Sequence, residues 1–338
     1  MNTLPAGYGG PGPSDPSQYG TANARIDHNV SARIYGHSNQ NVGNMSNYYN
    51  NTINVGVNEE LSRIAAWLSP LEPGRRHQDV SNRRLDGVGD WVLQRNEFES
   101  WRNSQDGSPN PTLRCYGDQG VGKTYIRYEM TLQELSTMLT SDKTSSLVID
   151  TLCEQAQGQN IAVLFFYCDY QAQKGQSAVN MIGGLLRQVI SGGAGIPGEI
   201  QRAFNGLGWG GGKCLRLPDM LELFVKVSNS IERVYICVDA VDELLPQDRS
   251  ELLRALRQII QDAPNTRLFL TGRPYIRREL DNYLSERAHV IKIIADQGDI
   301  ARYVGRKMDD DNARDPDLMT DALRNNIMET MLEKASEM

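Results

Sequence analysis

A chain of 338 residues with a formal charge of −7 has room for one large domain or two ordinary ones, and without a block of Lys or Arg it offers no groove for nucleic acid. Five cysteines in no paired spacing and four scattered histidines exclude a disulfide framework and a metal-site pattern, and fit reduced, buried thiols. The N-terminus lacks a signal pattern and the longest apolar run, Ile161–Cys168, is far too short to span a bilayer, so a cytoplasmic protein with no membrane partner is expected.

Residues 1–58 are dominated by Gly, Pro, Ser, Asn, Gln and Tyr, a composition that buries too little apolar surface to fold alone. Ser38–Asn58 carries eight asparagines, prone to β-stacking, and Ala-Arg-Ile occurs twice before it, at 24–26 and 32–34. A plain disordered tail accounts for the same composition. Glu59–Leu68 reads as a short amphipathic helix with Leu61, Ile64, Ala65 and Leu68 on one face, stopped by Ser69-Pro70. A polar connector to about Asp86, a turn at Gly87–Trp91 and helical spacing over Trp91–Trp101 complete a leader spanning 59–108. Ser108-Pro-Asn-Pro111 then opens a nucleotide domain, 109–338.

In that domain apolar runs at Leu113–Tyr116, Ile161–Cys168, Val234–Val238, Arg267–Leu270 and Val290–Ile294 alternate with helical stretches such as Ala178–Ile190, Met220–Ser228 and Arg249–Ile260. Continuous apolar strands between helices predict an α/β fold, a mainly parallel sheet covered on both faces. Function in such a sheet collects at the carboxyl ends of the strands.

The first of those ends carries Gly117-Asp118-Gln119-Gly120-Val121-Gly122-Lys123-Thr124, which satisfies G-x-x-x-x-G-K-[ST]. Its glycines let backbone N–H groups turn toward phosphate, Lys123 supplies a cation, and the Thr124 hydroxyl suits Mg²⁺, so ATP or GTP with Mg²⁺ is the expected ligand. A chain of this length matches the pattern by chance about 1% of the time. Gly206–Cys214 is also glycine-rich and contains Gly-Lys, but Cys214 stands where the hydroxyl belongs and no strand leads in; it reads as a loop.

Val234–Val238 ends in Asp239, whose carboxylate would hold Mg²⁺ beside the phosphate loop. Glu243 is the expected general base, with Asp242 as the alternative; both acids would also serve as caps of the next helix. Arg267–Leu270 leads through Thr271-Gly272 to Arg273, a cation placed to sense the γ-phosphate, or simply an arginine at a strand end.

With these motifs in place, residues 60–338 resemble the NACHT family of signal-transducing (STAND) P-loop ATPases, most closely the fungal NOD-like receptors. The marks are Asp239-Ala-Val-Asp-Glu243, Thr271-Gly-Arg-Pro274, Trp67-Leu-Ser-Pro-Leu-Glu-Pro73, Arg76-His-Gln-Asp-Val80 and Arg84-Leu-Asp-Gly87. The resemblance implies a slow ATPase switch, closed with diphosphate and oligomerising with triphosphate, acting in nonself recognition or regulated cell death. It also implies further winged-helix, helical and ankyrin-type repeat domains beyond Met338. The segment around Ala32–Gly36 is weakly similar to the HET-s-type amyloid motifs of such receptors, which implies a cell-death effector templated through the tail. A metabolic P-loop kinase and a non-hydrolysing scaffold are the alternatives; a kinase needs an acceptor substrate and a scaffold shows no turnover.

One departure stands out. In the family, Gly-Lys-Thr runs almost directly into the helix seen here at Ser145–Glu154, whereas Arg127–Thr144 intervenes. The genetic code permits splice-donor, branch-point and acceptor signals for these residues, so the segment is expected to be an unspliced intron read as protein. A genuine helical extension, with Met130, Leu132, Leu135 and Leu139 apolar, is the alternative.

Overall fold

The computed structural model describes residues 54–117, 141–192, 195–206, 215–284, 287–293, 296–314 and 320–336. Four leader helices come first: α1 (Asn54–Leu68), α2 (Pro73–Asn82), α3 (Asp90–Leu93) and α4 (Asn96–Arg102). Then follow β1 (Thr112–Gly117), α5 (Ser141–Gln155), β2 (Ile161–Tyr167), α6 (Ala178–Ser191), α7 (Gly198–Gly206), α8 (Leu217–Ser228), β3 (Arg233–Asp239), α9 (Pro246–Asp262) and β4 (Thr266–Gly272). The chain closes with α10 (Arg277–Leu284), β5 (His289–Ile293), α11 (Gln297–Arg314) and α12 (Asp321–Ser336).

The strands form one parallel sheet in the order β2-β3-β4-β1-β5. Parallel strands need crossovers, which lay helices over both faces and bury each strand on both sides. That is why these runs are almost continuously apolar. One face carries α2–α5, with the Trp101 ring against Tyr235 and Phe269 and His77 against Phe165 and Tyr167. On the other lie α6, α8 and α9, with α1 across α6. Two strand arginines are fully buried by specific partners: Arg114 meets Asp281 of α10, and Arg267 donates to Ser104, Gln105 and Pro264 carbonyls. Cys115, Cys153, Cys168 and Cys237 are buried and form no disulfide.

Three local expectations are corrected. The connector after Ser69-Pro70 contains a helix, α2, because Pro73 sits at its start and one face buries His77 and Val80, too narrow a stripe to show in so polar a segment. Trp91–Trp101 is two helices rather than one, broken at Arg95, whose backbone is extended (φ −73°, ψ 136°). The first helix begins at Asn54, ahead of Glu59. The rest of the tail, residues 1–53, lies outside the described residues, as do the loop stretch 207–214 and most of the intervening segment.

The close crossing of α1 and α6 depends on Gly183. A Cβ there would overlap the Leu68 carbonyl oxygen. Beside it Ser69 Oγ donates to the Asn180 carbonyl at 2.7 Å, and Arg187 donates to the Ser69 carbonyl at 3.1 Å.

Candidate functional site

All five strands run in one direction, so their carboxyl ends share one edge of the sheet, and one row of residues crosses it. Tyr167 is in register with Asp239, Thr271 with Cys115, and Cys115 with Ile291. The Val238–Leu270 pair puts Asp239 opposite Thr271. Neighbouring strands are about 4.8 Å apart, so Asp239 lies about 10 Å from β1, with β4 between them. Gly117, two residues beyond Cys115, opens the phosphate-loop motif; Asp118, Gln119, Gly120, Val121, Gly122, Lys123 and Thr124 lie outside the described residues.

Asp239 is only 3% exposed. Its Oδ1 accepts from Ser145 Oγ of α5 and from Thr271 Oγ1, each at 2.5 Å. The Thr271 oxygen in turn accepts the Ala240 N–H at 2.9 Å, which directs the threonine proton at the carboxylate. Ala240 has φ 53°, in the left-handed region, where a branched side chain would be strained. The turn after Asp239 therefore disfavours a β-branched residue at this position. Among the described residues no group of three or more His, Cys, Asp or Glu is placed to hold a metal. Mg²⁺ does not need one: it takes one or two carboxylates, a hydroxyl, waters and the phosphates of its nucleotide. A buried, hydroxyl-oriented carboxylate separated by one strand from the phosphate-loop strand fits that donor set.

Asp242 and Glu243 leave the following 3₁₀ turn in different directions. Asp242 turns back to β4, where its carboxylate accepts the Arg273 N–H at 3.1 Å and pairs with Arg273 Nε at 3.1 Å. A Cβ on Gly272 would come 2.7 Å from Ile276 Cδ1 and 3.2 Å from Asp242 Oδ1, so a side chain there would press on Ile276 and on the carboxylate that holds Arg273. Asp242 is thus occupied as the anchor of Arg273.

Glu243 reaches instead toward the turn after β2. Its carboxylate accepts the Tyr170 N–H at 3.1 Å, and Gln173 Nε2 donates to its carbonyl at 2.6 Å. Burial pushes the Glu243 carboxyl above the ordinary range; the Tyr170 N–H opposes this, and the nearby charges of Asp242 and Asp169 add to it. A half-buried carboxylate of raised basicity is suited to take a proton from water.

The structure also brings in residues to which the sequence reading gave no site role: Ser145, Asp150, Tyr167 and Thr271, the last noted only as part of the Thr-Gly-Arg-Pro mark. Two consecutive buried hydroxyls, Ser145-Ser146, directly before the apolar run Leu147–Ile149 were the available signal. His77 and Arg84, noticed only as motif marks, converge on Asp150 of α5 at 3.0 and 2.7 Å.

The family model for the N-terminal region of nephrocystin 3 matches residues 87–273, more than half of the chain. No curated protein matches significantly. Among solved structures, the Walker-type ATPase of Pyrococcus abyssi is similar at 15% identity and TM-score 0.41, over 73% of this chain and 63% of that one. Cdc6p of Pyrobaculum aerophilum follows at 15% identity and TM-score 0.38, covering 71% and 52%, and Drosophila ORC bound to DNA at 14% and 0.36, covering 75% and 51%. The chain thus spans about half to two thirds of the length of these structures.

Proposed function

The chain belongs to the nephrocystin 3 N-terminal family, a NACHT-like group of P-loop NTPases, and on that premise we propose that it is an ATP- and Mg²⁺-dependent signalling switch with slow hydrolysis. The observation that carries this reading is Asp239, a buried carboxylate oriented by two hydroxyls on the same sheet edge where β1 delivers Gly117. Backbone N–H groups of 118–124 and Lys123 would receive the phosphates, and Thr124 with Asp239 would hold Mg²⁺. When bound, Mg²⁺ supplies charge neutralisation between the phosphate oxygens.

In this reading Glu243 accepts the proton of the attacking water. Asp242 keeps Arg273 at the strand end, where its guanidinium meets charge on the transferring phosphate. The family resemblance extends the proposal to oligomerisation on triphosphate binding, a cytoplasmic role in nonself recognition or cell death, and an amyloid-templated effector engaged through the tail. Calorimetry tests the core of it. Lys123→Ala is expected to abolish ATP binding, and Asp239→Asn to weaken only the Mg²⁺-dependent part; ATP affinity unchanged in Lys123→Ala would remove the basis of the reading.

A further inference from the structure

Ser145 and Ser146 are adjacent on α5 yet connect in opposite directions. Ser145 Oγ donates to Asp239 at 2.5 Å, while Ser146 Oγ accepts from Arg84 Nη1 at 2.8 Å. The same Arg84 nitrogen donates to Asp150 Oδ2 at 2.7 Å, one turn further along α5. Asp150 also accepts from Ser81 Oγ at 3.2 Å and bonds His77 Nε2 at 3.0 Å. His77 Nδ1 meets the Tyr167 hydroxyl at 2.9 Å, and Tyr167 is the residue in register with Asp239. The contacts close a ring that leaves Asp239 through α5, crosses α2 and returns through β2.

Ser145, Ser146 and His77 are buried, at 1%, 0% and 4% exposure, while the side chains of Arg84 and Asp150 are partly buried at 17% and 29%. Burial alone would raise the Asp150 carboxyl, but His77 and Arg84 outweigh it and hold it below its ordinary range. Such a network stabilises less than apolar packing would, but a shift that separates its members leaves the buried hydroxyls of Ser145 and Ser146 without these partners. Neighbouring residues on a helix are fixed about 100° apart. Any rotation of α5 that moves Ser146 from Arg84 therefore moves Ser145 from Asp239.

We propose that Arg84 and Asp150 are positioning residues for Asp239, setting the rotation of α5 so that docking of the leader helix α2 and Mg²⁺-dependent nucleotide binding form one coupled equilibrium. The inference rests on the reading of Asp239 as the Mg²⁺-holding carboxylate. Coupling is reciprocal, so Mg²⁺-nucleotide must tighten α2 by the factor by which α2 docking tightens Mg²⁺-nucleotide.

The test uses the full chain, with ATP as probe in Mg²⁺ and in EDTA. Arg84→Gln is expected to weaken ATP binding in Mg²⁺ by about tenfold while changing the affinity in EDTA by less than about twofold. Ser145→Ala should do the same, and adding Arg84→Gln to it should have no further effect, because the path is already cut. Arg84→Lys, which keeps a cation near Asp150, should recover most of the loss. In the wild type, amide exchange over Arg76–Val80 should slow on adding Mg²⁺-ATP and not on adding ATP in EDTA. Equal weakening with and without Mg²⁺, or additive effects of the two substitutions, overturns the inference. Should the variants not fold, the wild-type exchange decides: α2 amides indifferent to bound Mg²⁺-ATP overturn it. A wild type that binds no ATP sinks the proposed function as well, whereas Mg²⁺-dependent binding untouched by Arg84→Gln sinks only this coupling.

Discussion

In the proposed function Glu243 is a side chain costly to the fold and useful to the site. Its carboxyl is raised by burial, so the native state binds its proton more tightly than the unfolded chain does. That cost is absent below the unfolded value of about 4.3 and grows as pH rises through the native pKa. Glu243→Gln removes the charge and keeps an oxygen for the Tyr170 N–H. The expected result is a higher Tm than wild type at pH 7, an advantage that disappears near pH 4, together with hydrolysis lowered by about 10²-fold and ATP affinity nearly unchanged. Thermal scans at the two pH values and single-turnover hydrolysis measure both halves. Normal hydrolysis would dismiss Glu243 as the base. Asp242 is a poor successor, since its carboxylate is committed to Arg273.

At the scale of elements, the leader is built into the domain rather than appended to it. The crossing of α1 over α6 leaves no space at Gly183, so Gly183→Ala must push the Leu68 carbonyl away and is expected to cost about 3 kcal/mol, read as a lowered denaturation midpoint at unchanged m-value. The helix α5 bears on Arg127–Thr144. It begins at Ser141 and carries Ser145 onto Asp239, while residues 127–140 lie outside the described residues. Joining Ile126 to Ser145 would put Thr124 three residues before that serine, about 4.5 Å along a helix axis and within reach of the same metal site. We therefore keep the proposal that Arg127–Thr144 is an unspliced intron. Sequencing the cDNA across Thr124–Asp150 should show a mature message without these codons; a message that retains them refutes it.

For the whole molecule, α11 and α12 form a smaller core of their own around Ile300, Val304, Met308 and Met331. Asp299, 2% exposed, ties it to the leader by accepting the Gly89 N–H at 2.9 Å and Trp91 Nε1–H at 3.1 Å. Asp299→Ala leaves two donors without that acceptor and is expected to cost about 2 kcal/mol, whereas Asp299→Asn, which keeps an oxygen there, should cost less. Limited proteolysis should then cut within α11–α12 before the sheet domain in the alanine variant. Simultaneous loss of both regions would show that the two cores unfold as one.

The sequence by itself determined the alternation of strands and helices, the parallel sheet and the edge at which site residues gather, because each rests on local periodicity and on the continuous apolar runs of doubly covered strands. It also placed Asp239 and Arg273 at strand ends, and Glu243 four residues beyond one, since an acid or cation that closes or directly follows a buried strand is visible in the linear chain. Only the tertiary structure decided that Asp242 serves Arg273, that Ser145 and Thr271 orient Asp239, and that His77 and Arg84 meet on Asp150. Those pairings join residues 30 to more than 90 positions apart. They follow from strand order and helix rotation, which depend on how the whole apolar surface is buried and leave no local pattern in the chain.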